Sequence, residues 1–262
     1  WVVARARELT EKSRRKDARQ TVLVIDDSIS FREAMRDALE EAGYRAVVAK
    51  TGEDGLREAA AIRPDLIICD GDLPGIDGIT VIRRLRLDAA LRHTPSMMIS
   101  GSEIKDGEMG AFEAGVAAFL GKHTPPAEVV ARVAALLGAS REMPMPSVRS
   151  ALSTQRVLVV GATLEPIVNA LRREAFDVAT AATTEDALLL LKHSSPTCVL
   201  VFGTAENCRS IRAAIQGSTA LIALTPDDDS HLAVDCLSAG VDEVVSRGTH
   251  GTLLVARIRA QI

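Results

Sequence analysis

Asp26 and Asp27 stand together after the apolar run TVLVI (21–25), Asp70 follows the run LIIC (66–69), and Asp72 comes two residues later. Ser100 closes another apolar run, SMMIS (96–100), and Lys122 comes two residues after VAAFL (116–120). A carboxylate at the rim of an apolar core needs a proton, a cation, a metal or a phosphoryl group as its partner. If these runs are strands of one sheet, three carboxylates meet at one edge and repel one another, which calls for a divalent cation or shared protons. Hard oxygen ligands at a shallow, wet site favour Mg²⁺. Lys122 supplies a point cation opposite the metal and Ser100 a hydrogen-bond donor, with room between them for a group carrying several anionic oxygens, such as phosphoryl. Asp70 would then be the nucleophile, attacking phosphorus in line while Mg²⁺ and Lys122 stabilise the charge. Taken singly, the same aspartates would serve as helix N-caps or turn residues.

The elements that must hold these residues alternate in type. Strands are expected at 21–25, 45–49, 65–69, 96–100 and 116–120, with helices at 28–41, 52–62, 78–86, about 104–114 and 126–137. Phe31, Ala34, Met35, Ala38 and Leu39 show the helical spacing of the first. Five β-α units of this length imply a parallel sheet covered by helices on both faces. In such a sheet ligands sit outside the carboxyl ends of the strands, where all the candidate residues fall. Pro74 and Gly75 turn the chain away from Asp70.

The segment 139–154, with two Met-Pro pairs, reads as an interdomain linker. Beyond it the alternation repeats, with strands expected at 156–160, 177–181, 197–201, 220–224 and 241–245 and a final helix over 249–262. RPDLIICD is answered by SPTCVLVF, and FEAGVAAFLGK by CLSAGVDEVVSR. The expected organisation is an N-terminal helix or linker (1–20), a first domain (21–138), the linker and a second domain (155–262). The fold class is α/β, with two tandem doubly wound five-stranded parallel sheets.

Bulk properties narrow the function classes. Of 262 residues 47% are hydrophobic and 25% charged, which fits a globular protein. The net charge of −4 provides no basic field to draw nucleic acid or an anionic membrane directly. No apolar run approaches the roughly 20 residues that span a bilayer, and no signal peptide is visible. Cys69, Cys198, Cys208 and Cys236 have no CxxC spacing and read as reduced packing residues, as expected of a cytoplasmic chain. The five histidines show no ligand spacing. A start at Trp1 rather than Met fits a fragment of a longer protein.

Residues 20–138 resemble a response-regulator receiver domain of two-component signalling, through five separated motifs in the right order. The resemblance implies the flavodoxin-like, CheY-like receiver fold. It assigns Asp70 as phosphoacceptor, Asp27 as direct Mg²⁺ ligand, Asp26 as a ligand mainly through water, and the Asp72 backbone carbonyl as the third protein ligand. Ser100 would turn towards the phosphoryl group, and Phe119 would change rotamer on activation, moving the face formed by the fourth helix, fifth strand and fifth helix. One departure is Lys122-His123, where the family usually has Lys-Pro, often with a cis bond. A trans bond, or a loop of different shape, is expected here, because a non-proline cis bond costs about 2.5–4 kcal/mol.

In the second repeat the same register puts Gly161 and Ala162 at the Asp26-Asp27 positions, Phe202 at Asp70, Thr225 at Ser100 and Arg247 at Lys122. Such a pseudo-receiver cannot accept a phosphoryl group by this chemistry. Docking, dimerisation and binding of a small ligand all remain open for it. The resemblance implies a histidine kinase or phosphotransfer protein as phosphoryl source, a dimer or intramolecular domain partner, and no turnover enzyme. A hybrid histidine kinase or a diguanylate cyclase would be a natural parent. The rivals are a scaffold that is never phosphorylated and a haloacid-dehalogenase-type phosphatase. The latter is suggested by Asp70-Gly71-Asp72 after an apolar strand, but that family usually puts its DxD on an early strand.

Overall fold

The computed structural model of the chain describes residues 19–101, 105–142, 155–161, 165–215, 218–226 and 229–262. The expected helix or linker before residue 19, and most of the expected linker, lie outside the described residues. In chain order the elements are β1 (Thr21–Ile25), α1 (Ile29–Glu41), β2 (Arg45–Ala49), α2 (Gly52–Ile62), β3 (Leu66–Asp70), α3 (Gly78–Leu87), β4 (Ser96–Ser100), α4 (Lys105–Ala114), β5 (Ala118–Gly121) and α5 (Pro126–Glu142). The second series is β6 (Arg156–Val160), α6 (Glu165–Arg173), β7 (Asp177–Ala181), α7 (Thr184–Leu191), β8 (Cys198–Phe202), α8 (Ala205–Ala214), β9 (Ala220–Thr225), α9 (Ser230–Ser238), β10 (Glu243–Ser246) and α10 (Gly251–Gln261).

Two five-stranded sheets result, in the orders β2-β1-β3-β4-β5 and β7-β6-β8-β9-β10. The repeat extends to register. Val22 pairs with Leu66 and Ile25 with Cys69, as Val157 pairs with Cys198 and Val160 with Val201. The central strands β3 and β4 are buried at every position, as a parallel sheet covered on both faces requires.

Where strand limits differ from the pattern-based expectation, local hydrogen bonds explain the shift. Asp65 is outside β3 because its carboxylate accepts from Thr21 N at 2.8 Å and its N–H donates to the Thr21 carbonyl. Val116 and Val241 are outside β5 and β10 because each closes the preceding helix, donating to Ala111 and Cys236 carbonyls. The glycines before them, Gly115 (φ 97°) and Gly240 (φ 90°), supply the left-handed turn that closure needs. Helix α5 continues to Glu142, past Gly138, where the pattern ends it at Leu137.

By Cα proximity the chain divides at Thr94/Pro95 into two compact units. The second unit begins at β4 because α5 packs on α9, and α4 on α10. Among the described residues no helix is long and apolar enough to cross a membrane.

Candidate functional site

The ligand-competent oxygens of Asp26, Asp27 and Asp70 lie within 4.8 Å of one another. Asp26 and Asp70 are each 1% exposed and Asp27 is exposed, so the cluster is rooted in the core and open on one side. Strands β1 and β3 are hydrogen-bonded neighbours, which is why residues 44 apart converge. The N-cap of α1 is Ser28, whose hydroxyl accepts from Phe31 N, so neither aspartate is spent on capping that helix. Asp26 instead accepts from Ser28 N at 2.8 Å, and Asp70 Oδ1 from Asp72 N at 3.0 Å. Both bonds hold the carboxylates in place.

An all-oxygen donor set with one wet side fits a hard divalent cation. At a metal–oxygen distance of about 2.1 Å, opposite ligands of an octahedral Mg²⁺ stand roughly 4.2 Å apart, a small side-chain adjustment from the observed cluster. The Cys69 thiol donates to the Asp70 carbonyl at 3.4 Å. Burial first, then the charges of Asp70, Asp26 and Asp77, push its pKa up, so it stays a neutral thiol and does not compete as nucleophile or ligand.

The backbone of Asp70 is fixed by a residue the motif reading passes over. The Gly78 N–H donates to the Gly71 carbonyl at 3.2 Å, bringing the start of α3 against the end of β3. A Cβ at position 78 would fall 2.0 Å from the Asp70 carbonyl oxygen and 3.0 Å from Gly71 Cα. Both are backbone atoms with no rotamer to escape to. Gly78→Ala is expected to cost about 3 kcal/mol in a urea titration and to weaken Mg²⁺ binding by displacing the nucleophile's strand end. Unchanged stability and affinity would show that the approach is slack. Gly75, at φ 85°, and the Asp77 cap on Thr80 N complete the turn.

Ser100 is the last residue of β4, buried, and its carbonyl accepts from Lys122 N at 2.9 Å. Phe119 is half-buried on β5. The described chain has no cis peptide bond, so Lys122-His123 is trans, as expected without the proline. The His123 ring folds back so that a Cβ on Gly121 would meet it at 2.4 Å. Glycine at the last position of β5 therefore makes room for the imidazole that replaces the usual proline.

The second repeat keeps the frame and changes the chemistry. Gly161 N donates to the Ala181 carbonyl as Asp26 N does to Ala49, and Arg247 N to Thr225 as Lys122 N does to Ser100. These paired bonds place Gly161, Thr225 and Arg247 at the counterpart positions; Ala162 lies outside the described residues. Phe202 ends β8 half-buried, with the Arg247 guanidinium 4.6 Å from its ring centroid. A cation stacked over an aromatic face is worth roughly 0.5–2 kcal/mol.

The pattern reading also missed a buried ion-pair network within residues 95–262. Glu243, at the start of β10, is 0% exposed. It pairs with Arg132 of α5 and with Arg257 of α10 at 2.9 Å. Arg257 pairs in turn with Glu108 of α4, and Arg132 donates to the Val244 carbonyl at 2.8 Å. Gln261 donates to the Ala117 carbonyl at 2.9 Å, and Ala131 and Ala135 of α5 lie against the core of the second repeat. Its sequence signals were a glutamate in the middle of the expected strand 241–245 and alanines along one helix face.

Comparison with known proteins agrees with this geometry. Residues 22–134 match the response regulator receiver domain family. The phosphate regulon transcriptional regulatory protein PhoB of Pseudomonas aeruginosa is 34% identical over 118 residues, which are 45% of this chain and 52% of PhoB. Response regulator PleD of Caulobacter vibrioides is 26% identical over 265 residues, which cover 92% of this chain and 58% of PleD. The chain thus spans about half the length of the curated relatives it matches. Among solved structures, the chemotaxis protein CheY4 of Vibrio cholerae is 27% identical, with a TM-score of 0.44, covering 45% of this chain and 99% of CheY4. With the acidic cluster inside the matched segment and the strand order it requires, residues 22–134 belong to the receiver domain family of two-component response regulators.

Proposed function

We propose that Asp70 accepts a phosphoryl group from a histidine kinase or phosphotransfer protein, with Mg²⁺ held by Asp26, Asp27, Asp70 and the Asp72 backbone carbonyl. The observation that carries this reading is the convergence of three carboxylates, two of them buried, within 4.8 Å. When bound, the cation supplies charge neutralisation for the phosphoryl oxygens. The Asp70 carboxylate attacks phosphorus in line, the P–N bond of the donor phosphohistidine breaks, and its imidazole nitrogen leaves with the bonding pair. The Ser100 hydroxyl at the end of β4 and Lys122, just after β5, receive the equatorial oxygens. Phe119 follows Ser100 as the switch residue. On this reading the first domain signals through its own phosphorylation and slow hydrolysis.

The second domain, residues 155–262 after a linker at 139–154, serves as a docking module for the first, residues 21–138. Support comes from the Glu108–Arg257–Glu243–Arg132 network, which engages α4 and α5 of the receiver. These helices flank β5, the face expected to change on phosphorylation.

The test is intact mass after incubation with acetyl phosphate, with and without Mg²⁺, followed by peptide mapping. One Mg²⁺-dependent phosphoryl adduct on the β3 peptide is expected. No adduct despite Mg²⁺ binding would favour the scaffold reading, and absence of Mg²⁺ binding would sink the mechanism. In an Asp70→Asn background, Phe202→Asp is expected to restore no adduct, since Gly161 offers no carboxylate beside it. A restored adduct would overturn the assignment of the second domain as inert.

A further inference from the structure

Cys208 on α8 and Cys236 on α9 are both 0% exposed, and their sulfurs lie 3.9 Å apart. They are 28 residues apart in sequence and meet where α8 packs on α9. We propose that Cys208 and Cys236 form a reversible disulfide that ties α8 to α9 in the second domain.

A disulfide needs sulfurs about 2.05 Å apart, so the pair must close by a little under 2 Å. Rotation about the two Cα–Cβ bonds and a small helix shift supply this, and Ala233 beside them on α9 offers little bulk to resist it. The pair is also asymmetric. The Cys208 S–H donates to the Cys236 sulfur, which lowers the pKa of Cys236 and raises that of Cys208. Cys236 is therefore the sulfur that ionises first and meets the oxidant. With hydrogen peroxide, the Cys236 thiolate displaces hydroxide and becomes a sulfenic acid. The Cys208 sulfur then attacks it, its proton leaves with the hydroxyl as water, and the S–S bond forms. Two thiols give up two electrons to one peroxide, with two waters as the other product. Both thiols are buried, so the first step waits on local opening of α8 or α9 and is slow.

Helix α9 bears on α8 on one side and on receiver helix α5 on the other. Pinning α9 to α8 would stiffen the surface on which α5 rests. This coupling rests on the docking reading of the second domain; the disulfide itself does not.

The full chain is treated with hydrogen peroxide, denatured, alkylated and weighed. Loss of two hydrogens, two alkylatable cysteines remaining of the four, a linked 208–236 peptide pair and reversal by dithiothreitol are expected. Cys236→Ala should leave three alkylatable cysteines and no link, whereas Cys208→Ala should give no link and leave Cys236 one oxygen or more heavier, with far-UV circular dichroism confirming that each variant folds. Oxidised protein should melt roughly 5–10 °C higher than reduced protein, because the link closes a long loop of the unfolded chain. Four alkylatable cysteines after native-state oxidation, or links that scramble equally to Cys69 and Cys198, would overturn the proposal. Amide exchange of α5 separates the two claims. Slower exchange in the linked protein supports the coupling, whereas unchanged exchange overturns the coupling while the mass result still decides the disulfide.

Discussion

Asp70→Asn is expected to have two effects of opposite sign. It abolishes the Mg²⁺-dependent phosphoryl adduct, because an amide oxygen is too weak a nucleophile to displace the donor. It also raises stability when Mg²⁺ is absent. The asparagine keeps the shape and can still accept the Asp72 N–H at the Oδ1 position. What is lost is one of three like charges held within 4.8 Å. At an effective dielectric of about 20, two unit charges at that distance repel by roughly 3–4 kcal/mol. Asp27 is exposed, and solvent screens its share, so the net gain is discounted to about 1–2 kcal/mol. For a chain of this size that is a melting temperature higher by roughly 4 °C. Adding Mg²⁺ reverses the order, because the wild type gains stability as ligand saturates its site and the variant, short of one anionic ligand, gains less. Differential scanning calorimetry across a Mg²⁺ series reads both effects. A variant no more stable than wild type without Mg²⁺ would show that the carboxylates do not strain the apo protein.

The acidic cluster was legible because each aspartate follows an apolar run of strand type, and because five strands in this order bring the ends of β1 and β3 together. Chemistry that depends on residue type at a strand end can be read from one dimension. The residue types at the matching ends of the second repeat, Gly161 and Phe202, were legible for the same reason. What escaped was whatever depends on a third dimension. Gly78 looks like one more turn glycine until its missing side chain is set against the Asp70 carbonyl. Gly121 gains meaning only from where the His123 ring lies. Arg247 was placed by register, but its stacking on Phe202 required coordinates. Cys208 and Cys236, apart by 28 residues and without a motif, read as separate packing residues until their helices were seen to touch. The strand limits at Asp65, Val116 and Val241 failed for a local reason, since hydrophobicity does not reveal which backbone group has already been claimed by a helix end or a cap.

Glu243→Ala is expected to be the most damaging single substitution among the charged residues of the second domain. Glu243 sits between two guanidinium groups, those of Arg132 and Arg257. Arg132 is 4% exposed, and its Nε has no hydrogen-bond partner, so it depends chiefly on Glu243 and the Val244 carbonyl, with Glu128 further off at 3.8 Å. Removing the glutamate takes away the anion shared by two buried guanidinium groups, leaving Arg132 with only Glu128 at 3.8 Å and Arg257 with only Glu108. Breaking one partner of a buried pair typically costs about 3–5 kcal/mol, far more than an exposed pair. The exposed pair Arg156–Asp177 supplies the internal comparison: Arg156→Ala should cost under about 1 kcal/mol. Glu243→Gln retains an acceptor for one arginine and should fall between them. If the network holds the second domain to the receiver, the loss appears first as a local event. Hydrogen exchange at α5 and α10 should accelerate in Glu243→Ala before the strands of β6 and β8 do, and denaturant unfolding should split from one transition into two. Uniform acceleration with one transition would mean that Glu243 supports the core of the second domain and does not hold the domains together. Triple replacement of Glu243, Arg132 and Arg257 by apolar residues of similar volume provides the sharper discrimination. Stability should then recover in part, because the desolvation cost of these three charges disappears with them while Glu108 and Glu128 lose their partners. What apolar packing cannot restore is alignment, since Arg257 also reaches Glu108 on α4 and Arg132 the Val244 carbonyl. A triple variant that is stable yet exchanges rapidly at α4 would identify the charges as the device that fixes the register between the receiver helices and the second domain.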